Sequence, residues 1–172
     1  MKTSLSLPRY ALLACIALLL MCVLSCTDTT PRDGTPKISD KGATDFTLKS
    51  LSGQTFKLNS QRGRHVLLIF ITSWCPTCRS EIPHYKKIFE TYGGKGLEVV
   101  MIDVQEPKEV VSRFASRYQI PFPVLLDEKE EVSRAFGIVG VPAMVLIDKD
   151  GHELSRQYMA IDMLLETLFG TK

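Results

Sequence analysis

Cys75 and Cys78, separated by Pro76 and Thr77, are the side chains of this sequence best suited to chemistry. Two cysteines at that spacing can close a small disulfide ring or supply half of a metal site, and their neighbours decide between the two. Here the surrounding stretch, FITSWCPTCRSEIPHY from Phe70 to Tyr85, favours redox use. Upstream, Val66 to Ile71 is an unbroken apolar run, as in a strand buried on both faces of a sheet. Downstream, Ile82, Tyr85, Phe89 and Tyr92 recur at helical spacing, so a helix is expected from Thr77 to about Tyr92 with that stripe on the sheet. Cys75 then sits at a strand-to-helix junction, where unpaired backbone N–H groups and partial positive charge favour a thiolate, the attacking species in disulfide exchange. Cys78, a turn later and less exposed, is expected to be the resolving thiol. Pro76 suits a first helical turn because it has no N–H to leave unsatisfied. Pro83 should kink the helix.

The elements that must position this pair are legible in outline. Asp45 to Leu58 alternates apolar and polar residues around Gly53, which predicts a β-hairpin leading into the buried strand. Gly93-Gly94 should end the helix, and Leu97 to Val104 reads as the next buried strand. Pro107 opens an amphipathic helix marked by Val110, Phe114 and Tyr118, and this βαβ unit argues for parallel strands. A short strand is expected over Phe122 to Leu126 and a short helix over Glu128 to Phe136. Ala143 to Ile147 and Glu153 to Tyr158 flank the turn Asp148-Lys149-Asp150-Gly151, a hairpin signal. A last helix carries Ile161, Leu164, Leu165 and Leu168 on one face.

Lys2 and Arg9 flank the start of a charge-free apolar run, Tyr10 to Leu24, shorter than the ~20 residues a comfortable membrane span needs. Residues 1–25 therefore read as an export signal. An uncleaved anchor helix is the other reading of the same residues. Residues 26–42, rich in Thr, Pro, Gly and charge, read as a flexible tether, and 43–172 as one domain. Loss of residues 1–25 removes two of the 21 basic side chains and none of the 19 acidic ones, so 19 of each sign remain. No basic field is left to attract nucleic acid. Cys15 and Cys22 leave with the signal. A zinc site wants four ligands, and besides the pair the domain offers only His65, His84 and His152.

Beyond the W-C-x-x-C run, CRSEIP places Glu81 three and Pro83 five residues after Cys78, and FGIVGVPAMVLIDKDGHEL carries Val141-Pro142 far downstream. Together these motifs resemble the thioredoxin superfamily, and within it the TlpA/ResA-like, membrane-tethered branch, over about Ala43 to Phe169. The resemblance implies a thioredoxin-like α/β fold: a central mixed β-sheet flanked by helices, with an N-terminal β-hairpin and an inserted helix. It implies a thiol-disulfide oxidoreductase in which Cys75 attacks and Cys78 resolves, with no cofactor beyond the Cys75–Cys78 redox couple. Glu81 would exchange protons with Cys78, since the strand position where thioredoxins keep a buried Asp is Ile69. Pro142 would be cis and would present the Val141 backbone to an extended substrate strand, with Trp74 as flat apolar surface beside Cys75. Val23-Leu24-Ser25-Cys26 resembles a bacterial lipobox, which would place a lipid on Cys26 and the domain on the extracytoplasmic or periplasmic side of a membrane. The implied partners are protein disulfides, apocytochrome c among them, and a membrane electron donor of the CcdA/DsbD type. Three other functions use related parts: an oxidant that inserts disulfides, a peroxide reductase with Thr72 three residues before Cys75, and a Sco-like copper module with His152 as distant ligand. The peroxiredoxin pattern wants proline where Leu68 stands, and Sco-like proteins space their cysteines by three residues.

Overall fold

The computed structural model describes residues 42–157 and 161–170. The expected signal, lipobox and tether up to Lys41, and Tyr158 of the last expected strand, lie outside the described residues. Strands are β1 Thr47–Ser50, β2 Thr55–Lys57, β3 His65–Ile71, β4 Leu97–Val104, β5 Val124–Asp127, β6 Ala143–Ile147 and β7 Glu153–Gln157; helices are α1 Pro76–Tyr92, α2 Lys108–Tyr118, α3 Glu131–Ala135 and α4 Asp162–Phe169. They form one sheet in the order β2-β1-β5-β4-β3-β6-β7. The three central strands β5, β4 and β3 run parallel, while β1, β6 and β7 are added antiparallel.

Strand periodicity sorts the core into two layers. Leu67, Ile69 and Ile71 of β3, with Val99 and Met101 of β4, face Ile82, Tyr85 and Ile88 of α1, Val111 and Phe114 of α2, and Leu165 of α4. The alternate residues Val66, Leu68, Phe70, Val100 and Ile102 face Phe46 and, around α3, Val132 and Phe136. The central strands are thus covered on both faces, which is why β3 reads as a continuous apolar run.

Several boundaries move for local reasons. Helix α1 starts one residue early because Cys75 is its N-cap and Pro76 its first residue. Gly93 stays right-handed at φ −56° and the chain winds through a short 3-10 turn, so the left-handed glycine that ends the segment is Gly96 at φ 96°, not the Gly93-Gly94 pair. The helix is continuous through Pro83. The short helix expected from Glu128 shrinks to α3, because Glu130 is left-handed at φ 58° and the Asp127 carboxylate accepts the amides of Val132 (3.2 Å) and Ser133 (2.8 Å).

Candidate active site

Cys75 caps α1 with its sulfur. Its Sγ accepts a hydrogen bond from the Cys78 amide at 3.2 Å, and its amide donates to the Thr72 carbonyl at 3.3 Å. A sulfur in that position is held by the same N–H groups that stabilise negative charge at any helix start. Both cysteines are free thiols. Cys75 retains 6% of its surface and Cys78 none, so only the first can meet another molecule's sulfur. Burial, then the hydrogen bond with Cys75, pushes the Cys78 thiol up to about 12. The Val141 carbonyl lies 3.8 Å from Cys75 Sγ, and the Val141–Pro142 peptide bond is cis. This brings together Cys75, Cys78, Val141 and Pro142, drawn from two segments of chain.

Trp74 is 66% exposed beside this sulfur. It lines a cavity of about 350 Å³ with Thr72, Val104, Arg134, Gly140 and Val141, whose rim also carries the exposed Val139. The Thr72 hydroxyl is buried without a hydrogen-bond partner, so it is not directed at Cys75 Sγ as peroxide activation would need.

The loop that delivers Cys75 is tied from two sides by residues the sequence reading did not single out. Glu106, buried just past β4, accepts hydrogen bonds from both the amide and the hydroxyl of Ser73, the latter at 2.6 Å. Arg79 donates to the carbonyls of Ser73 (3.2 Å) and Trp74 (3.0 Å), so it is a clamp on this loop. Gln105, left-handed at φ 68°, makes the turn that leads from β4 into Glu106.

Asp103 is a further residue missed. It pairs with Ile71 in the parallel ladder, is 1% exposed, and shares the sheet face of Met101 and α1. Neither carboxyl oxygen has a partner in hydrogen-bond geometry. Burial, followed by the charge of nearby Glu106, pushes this carboxyl up to about 9. The only signal in the sequence was an acid near the end of a strand whose one other charged residue, Glu98, lies near its start.

Glu81 is half-buried one turn beyond Cys78, and its carboxylate pairs with His84 Nδ1 at 3.2 Å. His84 Nε2 in turn meets Asp162 of α4 at 2.7 Å. No hydrogen bond joins Glu81 to Cys78 among the described residues, but both act on Tyr85. The Tyr85 phenol is buried and unpartnered, and it is raised by burial and then by the charges of Cys78 and Glu81. Two further carboxyl groups, Asp103 and Glu106, also stand beside the loop that carries the pair.

None of the three histidines stands with the cysteines. His84 is engaged as above. His65 opens β3, whereas Cys75 follows its far end. His152 pairs with Asp148 at 3.4 Å in the β6–β7 turn. Because β6 runs antiparallel to β3, with Ala143 beside Phe70 and Ile147 beside Val66, that turn lies at the opposite edge of the sheet from Cys75. Five strand residues at ~3.3 Å each separate the two edges, which places His152 out of reach of a shared copper site.

A mixed sheet with a C-x-x-C pair at the start of the helix after its central strand, faced by a cis-proline, defines a thioredoxin-like thiol redox domain. The chain belongs to the AhpC/TSA family, whose model matches residues 40–152. Among its relatives, the thiol-disulfide oxidoreductase ResA of Geobacillus thermodenitrificans is 37% identical over 109 residues, 63% of this chain and 63% of that protein. The chain thus spans under two thirds of that relative's length. Among solved structures, a secreted Mycobacterium tuberculosis disulfide oxidoreductase homologous to E. coli DsbE is 27% identical with a TM-score of 0.62, covering 69% of this chain and 90% of the other. The thioredoxin domain of a Bacteroides vulgatus thiol-disulfide oxidoreductase, 23% identical, shares the fold at a TM-score of 0.69 over 75% and 96% of the two chains.

Proposed function

We propose that this protein is an exported thiol-disulfide oxidoreductase that reduces protein disulfides outside the cytoplasm. The observation that carries the reading is the unequal pair: an edge-exposed Cys75 sulfur on the helix N-cap above a fully buried Cys78 thiol. Cys75 thiolate attacks one sulfur of a substrate disulfide. A mixed disulfide forms, and the substrate's other sulfur leaves as a thiolate that takes up a proton. Cys78, protonated until then, gives up its proton and attacks Cys75 Sγ. The Cys75–Cys78 disulfide forms, the second substrate sulfur leaves, and the substrate has gained two electrons.

Glu81 is the group assigned to receive the Cys78 proton, one turn away on the same helix; the two act electrostatically on the same buried phenol. Val141 and Pro142 hold the substrate backbone and Trp74 offers apolar surface beside the exchanging sulfurs. A membrane electron donor of the CcdA/DsbD type returns the pair to the dithiol, and apocytochrome c is among the clients. The redox couple is the cysteine pair itself, without a bound cofactor. A lipid on Cys26 holds the domain at the extracytoplasmic membrane face; among the described residues no helix is long and apolar enough to cross a membrane. The secreted mycobacterial relative supports export.

The test uses the full chain with Cys15, Cys22 and Cys26 replaced by Ser, and a peptide disulfide as substrate. Cys75→Ser is expected to abolish turnover, while Cys78→Ser accumulates a mixed disulfide visible by mass. In the parent chain, Glu81→Gln is expected to shift the pH profile of resolution. Retained turnover in Cys75→Ser would overturn the assignment.

A further inference from the structure

Two adjoining depressions run along the valley between α1 and α2, sharing Arg79 and Tyr118. The one nearer the active site, about 400 Å³, extends from Ser73 to Arg113 and Arg117; the other, about 330 Å³, carries Lys86, Lys87 and Glu90. Five cations thus line the valley against a single carboxylate, in a chain whose charges, the valley included, total 19 of each sign once residues 1–25 are removed.

The chain does not neutralise this strip itself. Among the described residues none of the five forms an ion pair. Arg79 and Lys86 spend their hydrogen bonds on the carbonyls of Ser73, Trp74 and Tyr118, and Arg117 lies 6.0 Å from the Tyr118 ring centroid. Glu109 stands one turn before Arg113 in α2, yet no ion pair joins them. Arg113 and Arg117 are themselves a like-charged i,i+4 pair, an arrangement that disfavours the isolated helix by a few tenths of a kcal/mol. Clustered unpaired charge beside a reactive group raises the local concentration of oppositely charged partners and steers their approach.

We propose that the α1–α2 valley docks an acidic segment of the protein that exchanges disulfides with Cys75, a conclusion that rests on the oxidoreductase reading above. The position of the strip selects a partner protein over an anionic membrane. It begins at Ser73, in the loop that carries Cys75, and at Arg79, which hydrogen-bonds that loop from α1, so a segment seated there is already at the reacting sulfur. A flat bilayer on the same face would instead crowd the approach to Cys75.

Two peptides of equal length test this, each with one internal disulfide, flanked by glutamates in one and glutamines in the other. With the full chain at low salt, kcat/KM for the glutamate peptide is expected to exceed that for the glutamine peptide by roughly tenfold, collapsing toward unity at high salt. The Arg113→Glu/Arg117→Glu chain should bring the ratio to one or below, and Arg113→Gln/Arg117→Gln should lower it partway. A low-salt ratio near one in the parent chain, or a ratio that both charge variants leave intact, overturns the docking assignment. So does loss of binding to phosphatidylglycerol vesicles in the variants with an unmoved peptide ratio, which would assign the strip to a membrane. Failure of the parent chain to reduce either peptide would instead strike the oxidoreductase reading, and salt dependence in the parent chain needs no folded variant.

Discussion

Cys75 and Cys78 lie one helical turn apart and meet opposite conditions. The first receives an amide hydrogen bond at the rim; the second is sealed in the core layer that also holds Ile71, Ile82 and Met144, with its proton retained. Asp103 extends that logic to the strand beneath. Its carboxyl, ordinarily near 3.8, is held up to about 9, so the folded chain keeps a proton that the unfolded chain releases above its ordinary value. A raised acid costs stability progressively as pH climbs between those two values. Asp103→Asn is therefore expected to stabilise the protein by roughly 2 kcal/mol at pH 7, a gain that vanishes toward pH 4. Urea denaturation at the two pH values measures it, and a variant with the same advantage at both would contradict the assignment. The CxxC pair was readable from spacing alone, since two residues between cysteines is a local fact. Asp103 and Glu106 were not, because their meaning comes from a strand neighbour and a loop more than thirty residues away in the chain.

Helix α1 does three tasks: it presents the cysteines at its start, packs Ile82, Tyr85 and Ile88 on the sheet, and anchors α4 through His84. Burial opposes charge on the His84 ring, but hydrogen bonds and charges from Asp162 and Glu81 outweigh it and raise the group above its ordinary 6.5. A raised histidine contributes stability that is complete below its unfolded value and lost as pH rises through the folded one. Protection of α4 amides from hydrogen exchange should therefore fall as pH rises above about 6.5, by an amount worth about 1 kcal/mol or less given the partial exposure. Asp162→Asn should lose most of that pH dependence; equal dependence in the variant would rule out His84 as its source. The apolar stripe of α1 was legible at helical spacing, whereas the contact with α4 spans 78 residues and had no local signature.

At the scale of the molecule, the sheet decides how the redox couple is poised. Strong oxidants in this chemistry owe their potential to a stabilised reduced form. Here burial keeps Cys78 as a neutral thiol, so any thiolate stabilisation of the reduced pair would have to fall on Cys75, which receives a single amide hydrogen bond on its sulfur among the described residues. The equilibrium potential of the Cys75–Cys78 pair, in the full chain with the other three cysteines replaced by Ser, is expected near or below about −270 mV, the thioredoxin end of the range. A value near about −120 mV would identify a disulfide-forming oxidant instead.

Local periodicity by itself determined the strand-helix junction at Cys75, the parallel βαβ unit and the terminal hairpin, because apolar spacing and turn residues act over a few neighbours. Caps and boundaries shifted by a residue or a few where a local hydrogen bond or a left-handed residue intervened, as at Asp127 and Gly96. Only the tertiary structure decided which carboxylates surround the thiols, that Glu81 is engaged by His84, that Arg79 ties the active loop, and that α1 and α2 gather five cations into one valley. Electrostatic and hydrogen-bond partners are set by distance in space, and the parallel crossover brings together residues that spacing along the chain keeps apart.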